Sequence, residues 1–441
     1  MELTAQTPPA VLTAVPFNIL LPNYNSVAAG ETSSLEANAF LARADDSSSA
    51  FFNAAGLALA GRTSVSGSAG VFQITSVAPE GLTNVGGSFQ HIPSLLGVVV
   101  PNLLGRERWA GGFSLTRVNA FAQSFAGERQ LDTGATSRRL KYTSASEVFG
   151  LQASLGMGYS NGGKLRVGGS LDGQLTQFTR DASGSEQGQT LDGLSAMMAD
   201  FQASAWAAHL RMSAGVQYDL TSTVRVGAAV RTPGLAVLSS GSSIADAQAT
   251  QGAATASASY FEDDGSIEYR LPFEFRAGLA WVGPRAQIEC DVLMYAAAGR
   301  YTAFRSDQLW TVITDPGSGG PPAVTNIPPN PVVIDSRAVA NIAIGGHVRL
   351  APSGSWRLHG GYATDRSPVG PDDTFFTKVN LQVVTLGVSG QARSVRVSAG
   401  LRHEFGISEP LVLQRTLDGP QLSARLRVSN LGLVYSLAVL F

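Results

Sequence analysis

Alternation runs through most of this chain. In 147–159, Leu151, Ala153, Leu155, Met157 and Tyr159 fall on one side of an extended backbone, and Gly150, Gln152, Ser154, Gly156 and Gly158 on the other. A two-residue period marks a strand with two unlike faces. In 165–178, Leu165, Val167, Leu171 and Leu175 oppose Arg166, Ser170, Asp172, Gln174 and Thr176. In 267–281, Ile267, Tyr269, Leu271, Phe273, Phe275, Leu279 and Trp281 oppose Glu268, Arg270, Glu274 and Arg276. In 395–402, Val395, Val397, Ala399 and Leu401 oppose Arg396, Ser398 and Arg402. The pattern predicts fourteen strands, the others near 63–76, 92–101, 108–118, 206–218, 224–231, 286–297, 338–350, 355–363, 380–390 and 430–441. The last reads LGLVYSLAVLF, with Leu433, Tyr435, Leu437, Val439 and Phe441 on one face.

The connections alternate in length. Short ones fall at 102–108, 160–163, 219–223, 282–284, 351–355 and 391–394. Long ones cover 77–91, 119–146, 179–205, 232–266, 298–337, 364–379 and 403–429. This rhythm predicts an all-β fold: a 14-stranded antiparallel up-and-down transmembrane barrel with periplasmic turns and extracellular loops. A soluble sheet with one buried face also alternates. Against it, the polar face carries Arg, Glu, Gln and many glycines, as a wet lumen would. Tyr159, Tyr269, Trp281, Trp356 and Tyr362 lie near strand ends, as an interfacial aromatic girdle would. Membrane residence then requires closure, because hydrocarbon offers no partner to an open sheet edge.

Composition narrows the picture. Glycine makes up 49 of 441 residues and charged residues 15%, with mean hydropathy slightly positive. One cysteine rules out a disulfide framework, and alternation points Cys290 outward to lipid. Net charge is −2, lysine is scarce and there is no basic stripe, so nucleic acid is not an expected partner. No apolar run is long enough for a membrane-spanning helix. Residues 10–24 most nearly match a signal peptide, but lack a basic start and are interrupted by Pro16 and Asn18. An export signal is expected to have been removed already. The expected location is the bacterial outer membrane, with its lipids as partners.

Fourteen strands enclose more space than their own side chains fill. Residues 1–60 precede the first strand and have no partner in the meander. The expected organisation is an N-terminal extension (1–24), a plug or hatch (25–61) and the barrel (62–441). A periplasmic tail is the plainer reading of the N-terminal part.

The stretch ARADDSSSAFFNAAGLA (42–58) resembles the hatch signature of FadL-type long-chain fatty-acid transporters. Further similar pieces follow in family order: LRVGGSLDGQ (165–174), VRVGAAVRTPG (224–234), LPFEFRAGLAW (271–281), AQIECDVLMY (286–295), WRLHGGYATDRSPV (356–369) and TLGVSG (385–390). The resemblance covers about 25–441. It departs where the family has Asn-Pro-Ala and this chain has Asn53-Ala54-Ala55, and residues 1–24 have no counterpart. The resemblance implies passive uptake of a long-chain fatty acid or similar lipophile. The implied route is an extracellular loop groove, a luminal pocket, the hatch and a wall gap beside a kinked third strand.

Candidate residues follow. Leu191, Leu194, Met197, Met198 and Phe201 recur at helical spacing in 179–205, as an apolar capture groove or a short helix covering the mouth. Phe51, Phe52 and Asn53 sit in the hatch signature, beside a pocket or in plain packing. Gly111 and Gly112 lie in the third strand, as a weak point for a lateral gate or as ordinary wall glycines. Inward charges such as Glu268, Arg270, Glu274, Arg276, Glu289, Asp291, His347 and Arg402 read as ion pairs that brace the lumen and tether the plug, or as a grip for a ligand carboxylate. His347 and His359 share the inward phase, but no ligand spacing predicts a metal site. No hydrolase signature and no cofactor motif occurs. A rival reading is a structural barrel whose residues 1–24 dock to an envelope partner; a polar-solute porin would need an open lumen.

Tyr435 and Phe441 fit the terminal signal that barrel-assembly machinery reads. Deleting Phe441 is expected to reduce membrane insertion, measured as the heat-modifiable folded band on a gel, more than it reduces ligand binding by the protein that does insert.

Overall fold

The computed structural model describes residues 22–25, 28–79, 86–132, 137–190, 193–350, 355–409, 411–414 and 422–441. Among them, 14 strands form a closed antiparallel barrel. The first six are β1 (Ser64–Pro79), β2 (Gly86–Pro101), β3 (Trp109–Asp132), β4 (Ser137–Ser160), β5 (Leu165–Thr190) and β6 (Gly193–Asp219). The next four each come in two segments: β7 (Val224–Arg231, Leu235–Gln251), β8 (Ala254–Ile267, Glu274–Val282), β9 (Ala286–Tyr295, Gly299–Arg305) and β10 (Val332–Ser336, Val339–Arg349). β11 (Arg357–Asp365), β12 (Val379–Ala392), β13 (Val395–Ser408) and β14 (Leu426–Leu440) complete the wall. β14 pairs with β1 from Ser64↔Leu440 to Pro79↔Leu426, and the Phe441 N–H donates to the Thr63 carbonyl at 2.8 Å.

The outer face is apolar. Leu155, Met157, Leu171, Leu279, Trp281, Ile288, Ile344, Leu386, Leu401 and Tyr435 all point outward and are exposed, as is Cys290. In water each such side chain would forgo about 1.5–3 kcal/mol of burial. A band of this kind suits lipid.

Two departures from the expected layout stand out. Stretches 119–146 and 179–205, expected as loops, are strand almost throughout, as is much of 232–266. Above an apolar band both faces of a strand meet water, so its sequence loses the hydrophobic alternation while the ladder continues. The expected unbroken strand at 267–281 is instead interrupted at 268–273, which includes Pro272. β7, β9 and β10 break at the same height, just above the row Arg231, Glu274, Tyr295 and Val339.

The β2–β3 seam is interrupted differently. Its ladder runs from Pro101↔Ala110 to Leu95↔Thr116 and stops, although β2 continues to Gly86 and β3 to Asp132. The β3–β4 ladder shifts register between Arg117 and Asn119, so Val118 is an extra residue in β3. Gly111 and Gly112, read as a weak point or as ordinary wall glycines, pair regularly with both neighbouring strands. The irregularity lies beyond them, at Val118.

Inside, residues 28–61 run through helical turns at Ser33–Leu35, Ser49–Phe52 and Ala54–Leu59. They touch inward groups on many strands: Ser47 on Ser66 of β1, Asn53 on the Val216 carbonyl of β6, Phe40 N–H on Asp291 of β9, and the Leu35 carbonyl on Thr385 of β12. Inward glycines make room for this. A Cβ on Gly112 would meet Leu57 at 2.5 Å, one on Gly158 the Ala54 carbonyl at 2.7 Å, and one on Gly361 the Glu36 backbone at 2.5 Å. At Gly158 and Gly361 the obstacle is backbone, which cannot yield as a side-chain tip can, so those two wall positions need glycine. Gly361→Val is expected to push the N-terminal segment off β11, seen as faster protease cleavage within 28–61 while the barrel stays folded.

Candidate functional site

Residues of the four broken strands, β7 to β10, meet near the loop end. There, a cavity of about 340 Å³ is lined by Phe178 of β5, Phe201 of β6, Tyr260 of β8, Tyr269 in the β8 break, and Phe304, Trp310 and Phe375. Its floor is an apolar cluster in which Val148, Phe178, Tyr301, Ile334, Val369 and Phe376 are buried. The rings meet edge-on: Phe178 lies 5.0 Å from Tyr269 and 5.6 Å from Phe375. Arg180 lies over the face of Phe201 at 4.7 Å. The chemistry on offer is desolvation and ring contact, with Glu268, Arg180 and a few serines as polar punctuation.

A row of inward side chains leads away from this cavity. Cross-strand partners Phe121, Val148, Phe178 and Ala205 join β3, β4, β5 and β6 at one level. Phe121, Val148 and Phe178 are buried. The row ends on β3 just past Val118, where the β2–β3 ladder has already stopped.

Below the cavity the N-terminal segment is held by buried charge. Glu36 Oε1 faces His347 Nδ1 at 2.8 Å and His359 Nδ1 at 2.7 Å, and its other oxygen pairs with Arg43. Arg43 Nε donates to Glu289 at 2.8 Å. Ser389 Oγ contacts the far nitrogen of His359 at 2.8 Å and fixes its orientation. The two histidines are cross-strand partners on β10 and β11. Glu36, His347 and His359 bring three ligand atoms within 4.8 Å, a donor set that could hold a metal ion. Both imidazoles already converge on one carboxylate oxygen, and Arg43 takes the other, so each oxygen of Glu36 has a protein partner. A second hub lies on the wall, where Glu274 accepts from Arg211 at 2.7 Å, Arg231 at 3.1 Å and Arg276 at 2.8 Å.

The structure sorts the candidate residues. Leu191 lies outside the described residues. The expected helical stripe is a strand, so its members split between two faces: Leu194 and Met198 point outward and are exposed, Met197 points inward and is buried, and Phe201 lines the cavity. Phe51 and Phe52 pack edge-on at 5.0 Å, away from the cavity. Phe52 joins Phe40, Ala44 and Leu95, while Arg231 covers Phe51 at 5.0 Å and donates to its carbonyl. Asn53 caps the last helical turn by accepting from Ala55 N–H at 3.2 Å, and donates to wall and segment carbonyls. The Glu268–Arg270 and Glu274–Arg276 pairs form, along the chain rather than as one cross-strand ladder. Apart from Phe201, the cavity aromatics are not among the candidates, and Tyr269, expected in the outer aromatic girdle, lines the cavity instead because its strand breaks at 268–273. Phe121, Phe178 and Phe201 are aromatic residues on the polar phase, which is the signal that marks them.

No family model matches this chain, and no curated protein matches it. Solved structures do share its fold. A FadL homologue of Pseudomonas aeruginosa superposes with a TM-score of 0.60 at 14% identity, covering 96% of this chain and 99% of that one. The toluene transporter TodX of P. putida gives 0.62 at 15%, covering 94% and 99%. The toluene transporter TbuX of Ralstonia pickettii gives 0.58 at 15%, also covering 94% and 99%. The fold is therefore that of the FadL-type outer-membrane barrels.

Burial tends to raise the Glu36 pKa, but Arg43 and the two histidines more than offset it and hold the carboxyl well below its ordinary value. Asp46 goes the other way: burial, with Glu31 and Asp45 nearby, pushes it up to about 7. Glu36 thus adds stability that is full above its unfolded pKa and is lost as pH falls. Asp46 favours its protonated form, so its contribution is full below its unfolded pKa and is lost as pH rises through about 7. Protease protection of residues 28–61 is expected to weaken between about pH 4 and about pH 7, and Asp46→Asn to flatten that decline. Glu36→Ala strands three buried partners and is expected to cost about 3–5 kcal/mol, read as a lower thermal midpoint.

Proposed function

We propose that this chain is an outer-membrane channel for passive uptake of hydrophobic compounds, with residues 25–61 as its hatch. The observation that carries the reading is the inward row Phe121–Val148–Phe178, which joins an aromatic cavity to the interrupted β2–β3 seam. A lipophile gains about 0.8 kcal/mol for each CH₂ it buries, so an apolar cavity can draw it from water through the polar outer rim. From there it moves along the row and leaves sideways into hydrocarbon, without crossing the charged region around Glu36. The seam opens about 18 Å above the turn rim, counting seven rungs of a tilted strand, within an apolar band about 25 Å tall.

The ring-rich lining and a volume of about 340 Å³ favour compact aromatic compounds over a long extended chain. The toluene transporters that share the fold support the same substrate class. In this reading Phe201 contacts ligand, Asn53 holds the hatch, and the exit lies at Val118 rather than at Gly111 and Gly112. Leu194, Met198, Phe51 and Phe52 are left outside the route. Tyr435 and Phe441 serve assembly. The structural-barrel alternative rests on residues 1–24, which lie almost wholly outside the described ones.

A cross-link across the seam tests the exit. Ser94→Cys with Arg117→Cys, in a Cys290→Ser background, places a thiol pair where the next rung would fall. Oxidation is expected to cut uptake of a labelled aromatic hydrocarbon roughly tenfold and reduction to restore it. Unchanged uptake by the cross-linked protein would remove the lateral route. Phe178→Ala is expected to weaken retention of the same compound several-fold, by roughly 1 kcal/mol.

A further inference from the structure

The turn-side mouth of the lumen holds a group of arginines that the uptake route does not use. Arg349 ends β10, and Arg357, its direct cross-strand partner, begins β11. Arg357 in turn faces Ser389 on β12, and Gln391 of β12 faces Arg396 on β13. Arg393 sits in the two-residue turn between those strands, in the left-handed region at φ 53°. Together with Ser355 they line a cavity of about 290 Å³.

Elsewhere in the lumen, many arginines sit against carboxylates. Arg43, Arg211, Arg231, Arg276 and Arg402 each lie within about 3 Å of a carboxylate oxygen. At this mouth the balance differs. Arg396 shares Glu31 at 3.2 Å, but among the described residues no carboxylate forms an ion pair with Arg349, Arg357 or Arg393. Asp45 acts on Arg357 and Arg396 through space without a contact pair, and Glu36 is taken by Arg43 and the histidines. Like charges directly opposite on neighbouring strands destabilise a sheet. An oxyanion between Arg349 and Arg357 would reverse the sign of that interaction.

We propose that this mouth is a binding site for a phosphate-bearing anion, gripped by Arg349, Arg357, Arg393 and Arg396 and oriented by Ser355, Ser389 and Gln391. A phosphate group suits it better than a single carboxylate. It carries more charge and more acceptor oxygens, and guanidinium forks match it in bidentate fashion. The anion is either free in solution or the headgroup of a lipid at the turn-side rim. The site is independent of the aromatic cavity, so its failure would leave the uptake reading untouched.

The test uses the full chain in two arms. Lipid-stripped protein in detergent is titrated with inorganic phosphate against chloride at matched ionic strength, by equilibrium dialysis. In parallel, protein in nanodiscs of phosphatidylcholine with or without phosphatidylglycerol is assayed for retained lipid. Saturable, salt-sensitive binding is expected in at least one arm. It should weaken by roughly tenfold or more in the triple variant Arg349→Gln, Arg357→Gln, Arg393→Gln. Phosphate bound in the first arm identifies a free anion; phosphatidylglycerol retained without it identifies a headgroup. No saturable binding in either arm, or equal binding by the variant, overturns the proposal. If the triple variant fails to yield the folded barrel, Arg393→Gln in its short turn carries the test, and an unchanged affinity there overturns it.

Discussion

A peptide group that meets hydrocarbon must find its hydrogen bond within the protein. The rest of this structure follows from that constraint. It makes the last residue part of the wall, since the Phe441 N–H completes the seam with Thr63. It also gives the β2–β3 seam its meaning. The β2–β3 ladder stops at Leu95↔Thr116 with both strands continuing; among the described ladders the β10–β11 one also stops short, at Ala343↔Ala363, but there Thr364 Oγ1 accepts from the Ile342 N–H across the gap. Unpaired edges are costly next to lipid tails and tolerable next to a cavity or a passing solute.

Closure leaves a lumen too wide to fill with wall side chains, and the N-terminal segment occupies it by two complementary means. Glycines let its backbone lie directly on the wall, and a few buried charges fix where it lies. Buried ion pairs contribute position more dependably than net stability, because desolvation consumes much of their attraction. A polar floor and an aromatic ceiling then divide the interior into a region hostile to lipophiles and a region that favours them.

The barrel was legible in the chain wherever one face met lipid. In 147–159 and 395–402 the alternation alone assigns each side chain to a face, and exposure agrees residue by residue. It failed in 179–205, where serines, alanines and glycines cover both faces and Met197, Met198 and Phe201 mimic a helical stripe. The Glu36–His347–His359 convergence was not legible at all, since it joins positions more than 300 apart in sequence. The inward phase of both histidines could be read, but not what would face them. Phe178 was readable in principle, as an aromatic residue on the polar side of its strand.

Val118 also sets which way the rest of β3 faces. Up to Thr116 the even-numbered residues of β3 point inward; from Asn119 onward the odd-numbered ones do. The bulge therefore works like a compensated frameshift: it takes up one extra residue and keeps Phe121 facing inward. Were the ladder to run straight through Val118, Phe121 would be displayed to the outside and its even-numbered neighbours would line the interior in its place. The facing of every downstream residue of the strand thus hangs on one bulged position. Losing Val118 outright would straighten the strand and leave the lining inward, whereas an uncompensated insertion elsewhere in β3 would turn it out.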